Sequence, residues 1–247
     1  MRRVRVDLHC HYIPGVDDGV RTLDESQRLL AGLKSLGYGT VIATPHIRDG
    51  MFENRRDGLE RAFLELDELL GGNALAETRG LPERGLSAEH HLDDVFLDLL
   101  ARGEVLPYPG GRAILIEFND EVWPRRVEKR IFELMLRNLR PVIAHPERCR
   151  ELEHETDALD PLLAAGACTL LDVMSLVGRY GGRARRTAER MLEEGAYDAA
   201  CTDSHKPEDV DLVGKSITRL VELVGDDDAE SLLEHTPRAL LDGTYDP

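Results

Sequence analysis

Residues 9–19 read HCHYIPGVDDG. They complete a short alternating run, VRVDLH (4–9), so two histidines close a candidate strand and two aspartates on a glycine follow in its loop. A period of two puts His9 and His11 on one side and Cys10 on the other. Read singly, each piece has a plain structural account. A histidine at a strand end is more often a half-buried polar residue than a ligand, and Asp-Gly suits a turn with positive φ. The stretch decides the fold only if other strands end in the same way.

Further candidate strands are TVIAT (40–44), a weak one at GLSAE (85–89), AILIEF (113–118), PVIAH (141–145), CTLLDV (168–173) and YDAACT (197–202). Helical stretches separate them. TLDE (22–25) has capping-box spacing; Leu29, Leu30, Leu33 and Leu36 then mark an apolar face that Gly37 ends. WPRRVEKRIFELMLRNL (123–139) is expected to carry Pro124 in its first turn and Val127, Ile131, Leu134 and Met135 on one side. LDPLLAAG (159–166), ARRTAERMLEEG (184–195) and VDLVGKSITRLVELV (210–224) complete the alternation, and GGNALAETRGLPERG (71–85) reads as a loop or insertion. Repeated strand–helix alternation implies a parallel α/β sheet. Closure into a TIM-like barrel, a single domain over residues 1–247, is the economical form, with reactive residues where strands end.

The ligand-type residues fall there. His9 and His11 close the first strand, Asp18 lies in its loop, and His46 follows the second. Glu89 stands at the third, Glu117 at the fourth, His145 at the fifth, and Asp203 and His205 just past the seventh. The sixth contributes nothing obvious, although Asp172 is near its end. Coincidence would have to repeat at six strands, so the cluster reads as a metal site. The donors are imidazole and carboxylate without thiolate, which favours manganese, iron or zinc over a structural zinc–cysteine knot. They are too many for one ion. Two or three divalent ions sharing a carboxylate would use them, and such sites clamp the attacking and leaving oxygens of phosphoryl transfer. HPER (145–148) adds Arg148, whose planar fork suits a phosphate; the plain alternative is a surface salt bridge with Glu147 or a neighbour.

The totals narrow the field. A chain of 247 residues with 42% hydrophobic and 32% charged residues is a folded globular protein. Its formal net charge of −16 repels phosphate backbones and argues against free-standing nucleic-acid binding. No apolar run is long enough to insert in a membrane. MRRVRVDLHC runs into a strand without an apolar signal core, so a cytoplasmic location is expected. Cys10, Cys149, Cys168 and Cys201 show no CxxC spacing and should stay reduced. A cysteine-based phosphatase is excluded, because the sixth residue after each is Val16, Glu155, Met174 and Pro207, never arginine. The oligomeric state is open to a homo-oligomer, but 5% aromatic content marks no interface.

HxH, TPH, IEF, AHPER and the late DxH resemble the polymerase-and-histidinol-phosphatase (PHP) superfamily. DLHCHYIPGVDDG, VIATPH, ILIEF, PVIAHPER, SLVGRYG and TDSHKPEDV resemble more closely its bacterial capsule and exopolysaccharide protein-tyrosine phosphatases, from about residue 6 to TPRALLDG near the end. The resemblance implies manganese and a (β/α)7 barrel. It implies three ions: one on His9, His11, Glu89 and Asp203, a second on Glu89, Glu117 and His145, a third on Asp18, His46 and His205. It also implies phosphate on Arg148 and a phosphotyrosine protein, the tail of a bacterial tyrosine kinase, as substrate. The sequence shows no unambiguous general acid; His205 or an aspartate is the candidate proton donor. Three departures stand out. Cys10 replaces a small residue such as serine. Glu83, His90 and His91 rival Glu89 beside the insertion. Lys206 stands where some relatives carry a later phosphate-binding arginine. Rival functions are a small-molecule phosphatase such as histidinol phosphatase and a catalytically silent metal-binding regulatory domain. An amidohydrolase is disfavoured, because no histidine ends the sixth strand and no lysine ends any.

Overall fold

A computed structural model describes residues 4–154 and 156–246; the basic start at 1–3 lies outside the described residues. The strands are β1 (Arg5–Cys10), β2 (Tyr38–Ala43), β3 (His46–Ile47), β4 (Glu83–Leu86), β5 (Glu89–His91), β6 (Ala113–Glu117), β7 (Arg140–Ala144), β8 (Cys168–Asp172) and β9 (Ala199–Cys201). The helices are α1 (Leu23–Ser35), α2 (Arg56–Leu69), α3 (Asp94–Arg102), α4 (Val127–Leu136), α5 (Asp160–Ala164), α6 (Gly181–Glu193), α7 (Asp209–Glu230) and α8 (Thr236–Asp242).

All strand pairs are parallel, in the orders β1-β2-β4 and β3-β5-β6-β7-β8-β9. The two sheets are parts of one layer. β2 runs into β3 across Thr44–Pro45, where proline removes a ladder donor, and β4 runs into β5 across Ser87–Ala88. Ser87 N donates to Ala43 O (2.8 Å) and Glu89 N to Pro45 O (3.1 Å), so pairing continues through both interruptions. Past the ends of β1 and β9, Asp203 N donates to His9 O (2.9 Å) and His11 N to Ser204 O (2.9 Å). First and last strands thus meet at the site rather than along a full ladder.

Side-chain alternation splits the core. Val6, Leu8, Ile42, Leu115, Val142, Ala144, Leu170 and Cys201 form an inner cluster, closed at the N-terminal strand ends by Leu240 and Leu241 of α8. Val41, Ile114, Ile116, Ile143 and Leu171 face outward onto helix residues such as Leu29, Leu33, Ile131 and Met191. Strict alternation from Val6 and Leu8 would send Cys10 inward and His9 outward. A register shift between Asp7 and Cys10 reverses the phase: His9 turns to the interior and Cys10 packs in the outer cluster. β7 ends on a second correction, since His145 follows inward-facing Ala144 and takes a left-handed backbone (φ +34°) that turns it back to the site.

Several elements depart from expectation. α2 and α3 fill gaps between strands in which no helical segment is delimited from the sequence. α2 buries Leu59 and Leu66 with Leu70 just beyond its end, and α3 is capped by Asp93 Oδ1, which accepts from Phe96 N at 2.8 Å. The presumed loop 71–85 holds a short turn at Asn73–Leu75 and the start of β4. α4 begins at Val127, after Pro124, because Arg126 is left-handed (φ +55°) and a right-handed helix cannot run through it. α7 is broken at Gly225, with φ +83° and ψ 174°. Among the described residues no helix is long and apolar enough to cross a membrane.

Candidate metal centre

Glu89 occupies the middle of the site. It is buried, with His145 Nε2 at 2.8 Å from Oε1, and His46 Nδ1 at 2.8 Å, His9 Nε2 at 3.2 Å and His11 Nε2 at 3.6 Å from Oε2. Asp203 faces the same imidazoles, its Oδ1 lying 3.2 Å from both His9 Nε2 and His11 Nε2. Burial works to raise both carboxyls, but the imidazoles, and for Asp203 also Arg148, more than offset it and hold both well below the usual range. Asp18 is half exposed and stands 3.4 Å from His46 Nε2 and 3.5 Å from His205 Nε2.

The rivals to Glu89 are elsewhere. Glu83 is exposed at the start of β4. His90 points outward, its Nδ1–H donating to Leu115 O (3.0 Å) and its Nε2 accepting from Leu106 N (3.2 Å), which uses both nitrogens. Burial pushes it down to about 4, so it stays neutral. His91, two residues past Glu89, places Nδ1 3.3 Å from Glu117 Oε2.

The donors suit cations. Glu89 Oε2, Asp203 Oδ1 and His46 Nδ1 are buried without an aligned hydrogen-bond partner, although opposing donor atoms are close. A protein interior tolerates such groups only when something else satisfies them. One donor atom from each residue lies within 4.8 Å of the others in four sets: His11, Asp18, His46 and His205; His9, Glu89 and His145; His9, His11 and Asp203; His46, Glu89 and Glu117. All nine expected residues are therefore brought together. Glu117 and His145 do not share a set; Glu89 links them.

Several supporting residues escaped the sequence reading. In VDDG the two aspartates part company: Asp17 is buried and accepts from His11 Nδ1 (2.7 Å), His46 N (3.2 Å) and Gly19 N (2.9 Å), while Asp18 faces the pocket. Asp17 holds the proton of His11 on Nδ1, leaving the Nε2 lone pair for an ion. His205 is fixed likewise, donating Nδ1–H to Asp203 O at 2.8 Å. The sixth strand contributes after all: Asp172, with Asp203, pairs with Arg148, whose guanidinium lies 3.7 Å over the ring of Tyr180. Cys10 faces away, its Sγ 3.4 Å from Ser204 O, and burial keeps its thiol protonated. Lys206 is exposed at the rim of a pocket of about 450 Å³ that Arg148, Arg179, Tyr180, Met51 and Phe52 also line.

Comparison with known proteins agrees with this geometry. The chain is 29% identical over 200 residues to the tyrosine-protein phosphatase YwqE of Bacillus subtilis, covering 81% of this chain and 77% of that protein. A solved structure from the pair YwqE and Streptococcus pneumoniae CpsB, described as metal-dependent tyrosine phosphatases, matches with a TM-score of 0.85 at 26% identity, over 97% of this chain and 95% of the other. The lactonase Lmo2620 of Listeria monocytogenes matches at 0.57 and 12% identity over 97% and 95% of the two chains, a likeness of fold alone. A family model described as capsular polysaccharide synthesis, CpsB/CapC, matches residues 5–242, and the chain belongs to that family.

Proposed function

We propose that the chain is a metal-dependent protein-tyrosine phosphatase, one catalytic domain acting in the cytoplasm on a phosphotyrosine protein, namely the tail of a bacterial tyrosine kinase in capsule or exopolysaccharide synthesis. The observation that carries the reading is the buried Glu89 carboxylate facing His9, His46 and His145 with one oxygen lacking a hydrogen bond. His9, His11, Asp18, His46, Glu89, Glu117, His145, Asp203 and His205 would hold two or three divalent ions, manganese foremost. Bound there, the ions would lower the pKa of water enough to supply a hydroxide nucleophile near neutral pH and would neutralise charge on the transferring group.

The chain's own part is positioning. Asp17 and the Asp203 carbonyl fix the tautomers of His11 and His205. Arg148, held by Asp172 and stacked on Tyr180, offers a planar fork to the phosphate oxygens. A tyrosyl leaving group has a conjugate-acid pKa of about 10, so it departs with little proton donation. His205, with Nδ1–H committed to a carbonyl, serves better as a ligand than as a donor.

The test uses metal-stripped protein refilled with manganese, given a phosphotyrosine peptide and, separately, histidinol phosphate. Wild type should prefer the peptide, and Glu117→Ala should lose at least about a hundredfold in kcat/KM, since charge stabilisation of this kind is worth that much. A preference for histidinol phosphate would move the site to a small-molecule role. Turnover of neither, with metal bound, would make it a silent regulatory domain.

A further inference from the structure

We infer that the hairpin carrying Met51 and Phe52 is the specificity wall of the site, the surface that receives the aromatic ring of an aryl phosphate ester. The inference rests on the phosphatase reading above and adds what selects the leaving group. Among the described residues lining the pocket, only Met51, Phe52 and the ring of Tyr180 are apolar; the rest are charged or imidazole. Tyr180 already stacks on Arg148. Metal donors and guanidinium can bind the phosphate of any monoester, alkyl or aryl, so they cannot tell one from the other. Discrimination needs hydrocarbon, and exposed Met51 with half-buried Phe52, whose ring lies on His46, is the part of it not engaged by Arg148.

Their placement fits that task. The Phe52 ring lies parallel to the His46 imidazole, with centroids 5.1 Å apart and planes 10° apart, so it borders the donor cluster directly. Met51, beside it, is 60% exposed, far more than a core methionine. Both residues line the same pocket as Arg148 and the donors Asp18, His46, Glu117, His145, Asp203 and His205, so a ring esterified to a phosphate held there is within their reach.

The wall is also built in advance. Arg48 and Phe52 exchange backbone hydrogen bonds of 3.0 and 2.9 Å, and Gly50 supplies the left-handed residue of the turn (φ +68°). Asn54 Nδ2 pins the hairpin's base by donating to Val16 O (2.9 Å) and His46 O (2.8 Å), tying it to the first loop. Little ordering is left to be done when a ring binds.

The experiment separates ring from phosphate. Manganese-loaded full chain is titrated by calorimetry with phenylphosphonate and with methylphosphonate, which share a head group and are not hydrolysed. Wild type should bind the phenyl compound about tenfold tighter, the value of burying one ring face. Met51→Ala and Phe52→Ala should each cut that preference by roughly threefold while leaving methylphosphonate affinity and bound manganese unchanged. If Phe52→Ala loses metal through His46, Met51→Ala carries the comparison. Equal binding of the two phosphonates by wild type, or losses of both in step in the variants, overturns the inference. Turnover of a phosphotyrosine peptide by wild type tests the underlying reading separately, so the two can fail independently.

Discussion

A Cβ added at Gly19 would lie 2.2 Å from the carbonyl oxygen of His11 and 2.6 Å from its Cβ. The sequence suggests a glycine chosen for positive φ, yet Gly15, not Gly19, is the left-handed residue of this loop. Gly19 is required because the loop folds back onto His11, whose orientation the site needs. Gly19→Ala should lower manganese affinity at least about tenfold and cost roughly 1–3 kcal/mol of stability, the usual range for forced overpacking. Unchanged metal titration would show that the loop can yield. A second residue gives a pH signature. Burial, then the charge of Asp172, pushes buried Glu147 from its ordinary 4.5 up to about 7. The folded chain therefore holds this proton more tightly than the unfolded chain does. That contribution is complete below pH 4.5, declines as pH rises and is lost above about 7, roughly 3 kcal/mol in all. Glu147→Gln, which can still accept from Ser175 Oγ, should show less loss of stability than wild type between pH 5 and 8 in denaturant titrations. Parallel profiles would contradict the assignment. At this scale the candidate metal donors were legible because their chemistry is rare at strand ends. Asp17 and Tyr180 were not, and Asp172 was noted only for its place near the end of the sixth strand, because their partners come from folded geometry that spacing does not encode.

Elements were legible in proportion to their punctuation. α1 announced itself through TLDE, and the structure carries the full capping box: Thr22 Oγ1 accepts from Glu25 N (3.2 Å) and Glu25 Oε2 accepts from Thr22 N (3.1 Å). Thr22→Ala should cost about 1 kcal/mol, seen as a lower thermal midpoint with phosphatase activity unchanged at 25 °C. A fall in activity without a stability change would mean that the cap serves the VDDG loop instead. α2 has no such start signal: its N-cap, Arg55, makes no side-chain capping bond, although Leu59, Ala62, Phe63 and Leu66 keep helical spacing on its buried face. The third strand was read faintly because β4 and β5 are short and broken at Ser87–Ala88. The phase of β1 was hidden altogether. The pair His9 and His11 was read on one side, but the register shift that aims both inward is a property of pairing with β2, not of the strand itself.

The whole molecule places opposing demands on the site. A chain of net charge −16 gathers four carboxylates, Asp18, Glu89, Glu117 and Asp203, among five imidazoles at one end of its barrel-like core. Without cations some of the imidazoles carry that charge: although burial opposes protonation, the carboxylates around His46, led by Glu89, push it up to about 12, and Asp17 pushes His11 up to about 10, whereas burial wins at His9 and lowers it. Divalent ions would displace those protons and satisfy the buried oxygens together. The parallel architecture was legible from alternation, and the convergence of nine donors follows from it, since parallel strands end on one face. The most direct test counts manganese bound per chain, by elemental analysis during stepwise reconstitution, against turnover of a phosphotyrosine peptide. The account predicts no turnover by the metal-free chain and activity that appears only when at least two ions are bound. Turnover without metal, or none in the fully loaded protein, would contradict it.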